Sequence, residues 1–458
     1  MREVAIVLVL VSLVCASWPG LVALKRGIFP TTLAFGTFSI LLYYGIGLLL
    51  ELSGAPYTVI TFSAFRAASA EQWVPACAVL MASPWLLILG GKLAGGTMCV
   101  QQLPVSCIRP SAQVKYYGLS IVSAIVCAWV GLSYALGSSS IWVARTTITE
   151  DFGPLIIVLY LPLHLLAFYC VQRDAQSSRG LLFLILMALA AIVGTLAIGQ
   201  RTNALLPVLL ILVFRGRQRL GRPLLIAVLL FCAASTLLPA FKSFDLYGAK
   251  SNLELINEGI NGDLARGPIL IEALARSEMV GTRVMPYPMA GYWYSLQFFV
   301  PRSLAIAKGL STASYFTGAI TGDAPERLSW GFGVGFIEEI ALNIGVLYIA
   351  PGILLYGFVL ALLDKASLRW PALVPATRLG AVWMAGYHLP ALLMTFGVMA
   401  GVAWVCDVCF TFRSGPPNGA APHLGEAVTR PRMRMMPAGL THWRDSKGVP
   451  LVDRRKFC

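Results

Sequence analysis

Apolar runs of about 20 residues alternate with short polar segments along most of the chain. A helix needs about 20 mostly apolar residues to cross the roughly 30 Å hydrocarbon core of a bilayer. The pattern predicts about eleven membrane-spanning helices, within a range of about ten to twelve. The predicted spans are Val4–Ala23, Thr31–Leu50, Trp73–Gly91, Tyr117–Leu136, Gly153–Val171, Gly180–Ile198, Ala204–Phe214, Pro223–Ala240, Val334–Leu363 and two short helices within Arg378–Phe412.

The order of these runs predicts an all-α, polytopic integral membrane protein with four regions. Residues 1–242 form an N-terminal transmembrane bundle of about eight helices. Residues 243–333 form one large, partly helical extracytoplasmic loop between late helices, and residues 334–412 form the C-terminal transmembrane helices. Residues 413–458 are a basic cytoplasmic tail, interpreted as a disordered segment lying on anionic lipid.

Composition agrees with the membrane class and sets the orientation. The chain of 458 residues is 57% hydrophobic and only 12% charged, so a soluble enzyme and a disordered chain are both excluded. The net charge of +14 comes from cations between apolar runs and in the tail, which the positive-inside rule explains better than nucleic-acid binding does. The N-terminus is therefore predicted outside and the tail inside. We interpret Met1–Gly20 as an uncleaved span rather than a signal peptide, because Lys25 and Arg26 follow it.

Cysteine and histidine give no sign of a metal or a cofactor. The ten cysteines lie mostly in apolar runs, and the long loop contains none, so no disulfide framework or thiolate zinc site is predicted. No two His, Asp or Glu residues show a metal-ligand spacing. We therefore predict no protein-bound metal and no cofactor.

Ionisable residues at the predicted outer boundary are the candidates for chemistry, because such groups are costly near lipid. Glu338 and Glu339 open the predicted span Val334–Leu363, and Asn343 shares a helix face with Glu339 at i,i+4. The simpler interpretation is that the two acids only complement the helix dipole. We predict Glu339, with Glu338 and Asn343 beside it, as candidate functional residues, and leave open which acid acts.

Four arginines are candidates for holding an anionic headgroup or a pyrophosphate, which a guanidinium binds through two parallel hydrogen bonds. Arg201 lies between two apolar runs, and Arg302 follows the aromatic run that begins at Gly291; Arg266 and Arg283 lie in the long loop. Arg276 is interpreted as a solvated loop cation. Aromatic residues suited to the membrane surface lie in the same loop, and they are Tyr287, Tyr292, Trp293 and Tyr294.

Together these motifs resemble the bacterial oligosaccharide repeat-unit polymerases, the Wzy-type O-antigen polymerase family. The resemblance is carried by Gly291-Tyr292, Pro301-Arg302, the run from Glu339 to Gly345 that reads Glu-x-x-x-Asn-x-Gly, and the Gly199-Gln200-Arg201 step into a span. It covers about Gly199 to Leu363, roughly a third of the chain.

The resemblance implies polymerisation of undecaprenyl-pyrophosphate-linked oligosaccharide repeat units at the outer face of the bacterial inner membrane. The growing glycan would pass en bloc to the acceptor's sugar hydroxyl, without a nucleotide sugar or a required protein-bound metal. The product would be O-antigen, capsule or exopolysaccharide. Glu339 would act as the catalytic base, with Glu338 and Asn343 beside it. Tyr292 and the four arginines would bind glycan and pyrophosphate, and the aromatic residues of the long loop would either stack on sugar faces or form an interfacial belt. A flippase and a chain-length regulator are implied as partners, besides the lipid bilayer, and nucleic acid is not.

Two alternative functions are also compatible with the sequence. An O-antigen ligase would transfer the glycan to lipid A core, and His388 is the residue that keeps this possibility open because the long loop contains no histidine. A lipid-linked oligosaccharide flippase or another transporter would distribute charges along several spans around a central cavity. The sequence instead shows few mid-span charges and a cluster at one face, which favours surface chemistry.

Overall fold

The computed structural model describes residues 1–25, 28–53, 68–100, 107–137, 159–172, 175, 178–197, 206–208, 210, 266–278, 284–297, 300, 309–327 and 332–411. Within these residues the secondary structure is helical, apart from a two-residue antiparallel ladder of β1 (Phe29–Pro30) and β2 (Cys99–Val100) and an isolated antiparallel bridge between Ile108 and Thr411. The predicted span Pro223–Ala240, most of Ala204–Phe214, the loop up to residue 265 and the tail after residue 412 lie outside the described residues.

Helices follow the apolar runs closely, because each run is bounded by polar, Gly or Pro positions. Numbered in chain order they are α1 (Arg2–Lys25), α2 (Thr32–Ile40), α3 (Ile46–Ser53), α4 (Ala70–Leu93), α5 (Pro110–Gly137), α6 (Leu161–Cys170), α7 (Ser178–Ala197), α8 (Gly267–Glu278), α9 (Ala290–Gln297), α10 (Thr312–Thr321), α11 (Phe336–Asn343), α12 (Ile349–Arg369), α13 (Val374–Trp383), α14 (Leu389–Leu392) and α15 (Val398–Phe410). A π-helical turn joins α2 to α3, and another joins α14 to α15.

Six helical segments of the described residues are long and apolar enough to cross a membrane. They are Arg2–Ala23, Thr32–Leu49, Ala70–Leu93, Pro110–Tyr134, Val346–Arg369 and Leu389–Phe410. On α5, Ile125 and Trp129 are 64% and 69% exposed, and outward-facing apolar surface of this kind meets lipid. The prediction of an all-α, multi-pass membrane protein is confirmed at this level. The shorter apolar helices α6 and α7 lie where two further spans were predicted.

Helices α4 and α12 pack closely through glycine. A Cβ atom on Gly90 would lie 2.0 Å from the Leu354 carbonyl oxygen, and one on Gly357 would lie 2.0 Å from that of Leu87. Small residues at facing positions let membrane helices approach closely. The close approach of α4 and α12 therefore depends on glycine at these two positions.

The predicted span Val334–Leu363 is wrong as one continuous helix. Helix α11 ends at Asn343, and Gly345 has a φ of 118°, which no α-helix contains. The chain then restarts in the segment Val346–Arg369, which is the candidate span. Glu338 and Glu339 therefore lie in a separate buried helix that precedes the membrane-spanning one.

The stretch Arg378–Phe412 was predicted to hold two short helices, and only the first is short. Arg378 lies inside α13, which has ten residues, whereas the helical segment Leu389–Phe410 has 22 and qualifies as a span. The turn between them runs from Met384 to His388. It contacts α11, since the Phe336 amide donates to the Met384 carbonyl at 3.0 Å.

A buried ion pair ties α12 and α13 to the start of α2. Arg378 is fully buried, and its Nη2 lies 3.8 Å from Oδ1 of Asp364, which also accepts hydrogen bonds from the Thr32 amide and hydroxyl. None of the guanidinium nitrogens has a hydrogen-bond partner in the described part of the chain. Arg378 is thus a buried cation inside the helix bundle. The ionisable groups are consequently not confined to one face of the bundle.

The asymmetry of this pair predicts unequal effects of removing its members. Replacing Asp364 by Leu leaves a buried guanidinium without its counter-charge and should cost about 3 kcal/mol of stability. Arg378→Met should cost less, because Thr32 still satisfies Asp364. The double variant should recover part of the loss. Denaturant unfolding in detergent measures all three, and an Arg378→Met loss equal to that of Asp364→Leu would contradict the assignment.

Candidate active site

Helix α11 is the centre of the site because all eight of its residues are buried, including two acids and an amide. Gly335 stands at its N-cap in an extended conformation, and Glu338 and Glu339 lie in its first turn. Carboxylates are favoured there by the helix dipole. That effect is small, so full burial of both acids demands further partners.

Glu339 is held by groups from two other segments. The Thr312 hydroxyl of α10 donates to Oε1 at 3.3 Å, and the Leu389 amide donates to Oε2 at 3.0 Å. Leu389 is the first residue of α14, so the carboxylate also lies at the positive end of a second helix. His388 immediately precedes this contact and is half-buried.

Asn343 connects Glu339 to α9, as its predicted position on the same face suggests. Its Nδ2 donates to the Thr312 hydroxyl at 3.0 Å and to the Glu339 carbonyl at 2.9 Å, and its Oδ1 accepts from the Gly291 amide at 2.7 Å. A Cβ on Gly291 would lie 1.9 Å from the Thr312 hydroxyl oxygen. Only glycine therefore fits at that position. The structure brings together Gly291, Glu339 and Asn343, which the sequence motif had linked.

Glu338 faces a different environment, formed by the π-helical turn between α2 and α3 and by the start of α8. The Tyr44 hydroxyl donates to its Oε1 at 2.7 Å, and Oε2 has no hydrogen-bond partner in the described residues. Arg266 is close enough to act on it electrostatically. The Arg266 guanidinium is only 7% exposed and donates to the carbonyl oxygens of Gly333 at 2.8 Å and Gly386 at 3.4 Å. Arg266 thus clamps two loops around α11.

Tyr292 of α9 is half-buried beside the same carboxylate. Its hydroxyl is hydrogen-bonded to that of Tyr356 on α12, and the charge of Glu339 acts on it. Burial, as the main cause, and that charge together raise the pKa of Tyr292 well above its usual value. The residue is therefore a neutral hydrogen-bonding group at the boundary between α9 and the spanning helix.

Burial dominates the electrostatics of the two acids, which lie outside the six candidate spans. It raises the pKa of Glu338 to about 7, although the Tyr44 hydrogen bond and Arg266 counteract it. It raises the pKa of Glu339 to about 8, with a further increase from the charge of Glu338. The hydrogen bonds from Leu389 and Thr312 lower the Glu339 value. A carboxyl group with a pKa near neutrality can exchange a proton with a substrate at physiological pH.

A cleft of about 210 Å³ opens at the C-terminal end of α11. Asn343 and Gly345 form one wall, and residues of α8 and of the segment before α9 form the other. Arg276 lines this cleft, with Nε donating to Glu272 at 2.6 Å and Nη1 to the Ala319 carbonyl at 2.7 Å. Its interpretation as a solvated loop cation is therefore wrong.

Sequence reasoning missed the residues that hold the acids from other helices. Tyr44, Thr312 and the Leu389 amide each contact a carboxylate from a distant part of the chain, and a single sequence gives no signal for such pairs. Arg201, Arg283 and Arg302 lie outside the described residues, so their predicted roles stay predictions. In the described ranges no group of three His, Cys, Asp or Glu side chains could hold a metal ion.

No protein-family model matches the chain, and no curated protein or solved structure matches it either. The class of the protein is thus defined by its fold and site, as a multi-pass helical membrane protein with a buried carboxylate pair beside a cleft.

The raised pKa values predict that stability falls as pH rises. The ordinary pKa of these carboxyls is 4.5, so above it the unfolded chain releases protons that the folded protein keeps. The stabilisation is complete below about pH 4.5 and is lost as pH rises through about 7 to 8. Glu339→Gln should flatten this slope by at most about 1.4 kcal/mol per pH unit. Thermal unfolding across pH measures it.

Glu326→Gln is the matched control, since Glu326 is exposed in a short 3₁₀ turn. It should leave the slope unchanged. A Glu339→Gln protein with the same pH slope as the unmodified protein would show that this carboxyl does not titrate in the expected range.

Proposed function

We propose that this protein polymerises undecaprenyl-pyrophosphate-linked oligosaccharide repeat units at the outer face of the bacterial inner membrane. The product is a surface polysaccharide, namely O-antigen, capsule or exopolysaccharide. The observation that carries the proposal is Glu339, a buried carboxyl with a pKa near neutrality, held beside a cleft where the chain enters a spanning helix. The motif that resembles the polymerase family runs through the same residues.

The proposed reaction is a glycosyl transfer with Glu339 as the general base. The acceptor's sugar hydroxyl oxygen attacks the anomeric carbon of the donor glycan, and its proton passes to the Glu339 carboxylate. The bond from the anomeric carbon to the pyrophosphate oxygen breaks, and its electron pair leaves with the lipid pyrophosphate. Such a base contributes typically about 10²- to 10⁴-fold to a rate.

Cations must stabilise the charge that develops on the leaving pyrophosphate. Arg201, Arg283 and Arg302 remain the proposed residues for this. Arg266 is a weaker candidate, since backbone carbonyls occupy two of its nitrogens and it is nearly fully buried. We assign to Arg266 the electrostatic support of Glu338, which in turn affects the proton affinity of Glu339.

The first prediction of this proposal concerns the polymer itself. Glu339→Gln in the native host should abolish the ladder of surface polysaccharide and cause single lipid-linked repeat units to accumulate. The amide cannot accept the proton, whereas its size and shape are nearly unchanged. Gel analysis of extracted glycans, with an immunoblot for protein level, measures the outcome.

Glu326→Gln is the control and should leave the ladder intact. A normal ladder in Glu339→Gln cells would remove this residue as the base. Glu338→Gln then decides between the two acids, because loss of the ladder in that variant alone would assign the role to Glu338.

The second prediction concerns pH. A base acts in its ionised form, so the polymerisation rate should rise with pH and level off above the Glu339 pKa of about 8. Purified protein in proteoliposomes, supplied with lipid-linked repeat units between about pH 6 and about pH 9, gives this profile. A rate that decreases over this range would indicate an acid role for the group.

An O-antigen ligase is the second candidate, because His388 adjoins the Leu389–Glu339 contact. Burial lowers the pKa of His388 to about 4, so its ring is neutral and able to accept a proton. Loss of a ligase would leave full-length polymer on the lipid carrier and remove it from the lipid A core. His388→Gln, analysed for carrier-linked polymer, separates this function from polymerisation.

A further inference from the structure

The cleft beside α11 has walls of two kinds. Arg276, Ser277 and Asn343 contribute polar groups to it, and Tyr287 and Pro288 contribute apolar surface. Tyr287 is 44% exposed, so its ring is available to a ligand. A mixed lining of this type fits a molecule that carries hydroxyl groups at its edge and C–H groups on its face.

The described residues that line the cleft contribute a charge close to neutral. Arg276 is the only cation among them, and Glu272 is bound directly to its Nε. The two side chains are 30% and 31% exposed, so donors and acceptors are offered together. A pyrophosphate needs uncompensated positive charge, whereas a neutral polyhydroxyl ring needs paired donors and acceptors in fixed positions.

The size of the cleft also favours a single ring. Its volume of about 210 Å³ is below the roughly 300–1,000 Å³ of pockets that take drug-sized ligands. A cleft of this size suits a ligand about as large as one monosaccharide. The Ala319 carbonyl fixes the Arg276 guanidinium, so the donors are held in position before a ligand arrives.

We propose that this cleft binds one neutral sugar residue, with Tyr287 against the face of the ring and Arg276 and Ser277 on its hydroxyls. Asn343 belongs to both the cleft and the Glu339 network, so a sugar bound there lies next to the predicted base. The assignment of this sugar as the acceptor rests on the proposed function. The binding of a sugar by itself requires only the cleft.

Saturation-transfer NMR on the full chain in detergent tests the proposal. The probes are methyl glycosides of glucose, galactose, rhamnose and N-acetylglucosamine, with inorganic pyrophosphate as the charged competitor. We expect at least one glycoside to bind. Tyr287→Ala should weaken it about fivefold, whereas Tyr287→Phe, which keeps the ring, should bind as the unmodified protein does. Ser277→Phe, which fills the cleft, should abolish binding.

Arg369→Gln is the control for charge, since Arg369 is an exposed cation in the last turn of α12. It should bind glycosides normally. Thermal unfolding of every variant shows whether it is folded. Three results would each overturn the proposal. The folded, unmodified protein binds none of the glycosides; pyrophosphate displaces a bound glycoside; or Tyr287→Ala and Ser277→Phe both bind glycosides as tightly as the unmodified protein does.

Glu339→Gln separates this inference from the proposed function. The variant should bind glycosides normally, because Glu339 does not line the cleft. An intact polysaccharide ladder in that variant, combined with normal glycoside binding, would reject polymerisation through Glu339 and keep the sugar site. A lost ladder without glycoside binding by the unmodified protein would reject the sugar site and keep the polymerase.

Discussion

The burial of two carboxyl groups on one short helix is the constraint on which the rest of the site depends. An unpartnered polar group in an apolar interior costs several kcal/mol, so each oxygen recruits a donor or stays protonated. Glu339 recruits the hydroxyl of Thr312 and the amide of Leu389, which lie on different segments. Helices α10, α11 and α14 are thereby fixed to one another through a single side chain. A network that fixes three elements also fixes the position of the group that would react.

The same constraint operates at the other end of the bundle, where Asp364 and Arg378 are buried against Thr32. Thr32 begins α2 and Tyr44 lies near the end of the same helical run, a separation of about 18 Å at about 1.5 Å per residue. Helix α13 runs alongside α2, because Arg378 lies near Thr32 and Ala385 donates to Ser39. One pair of adjacent segments thus connects both polar centres. The bundle therefore contains two separate sites of buried ionisable groups, the Asp364–Arg378 pair and the two acids of α11.

Much of the fold was predictable because hydropathy alone places apolar runs in a bilayer. The predicted span Tyr117–Leu136, for example, lies within α5. The break after Asn343 was not predictable, since glycine is common in membrane helices and the φ of Gly345 leaves no mark in the sequence. In the site, the i,i+4 spacing of Glu339 and Asn343 placed them together correctly. Thr312 and Tyr44 escaped notice because their contacts cross 27 and 294 positions, beyond any local pattern.

The environments of the two acids favour different roles for them. Glu338 points to Tyr44 and the Arg266 clamp, and it is not among the residues that line the cleft. Glu339 shares Thr312 with Asn343, and Asn343 lines the cleft. A substrate in the cleft therefore has a hydrogen-bonded connection to Glu339 and none to Glu338 in the described residues. When two neighbouring titratable groups have different surroundings, one commonly transfers the proton and the other shifts the pKa of the first. The proposed function therefore assigns the proton exchange to Glu339, and it assigns to Glu338, through its charge, the tuning of the proton affinity of Glu339.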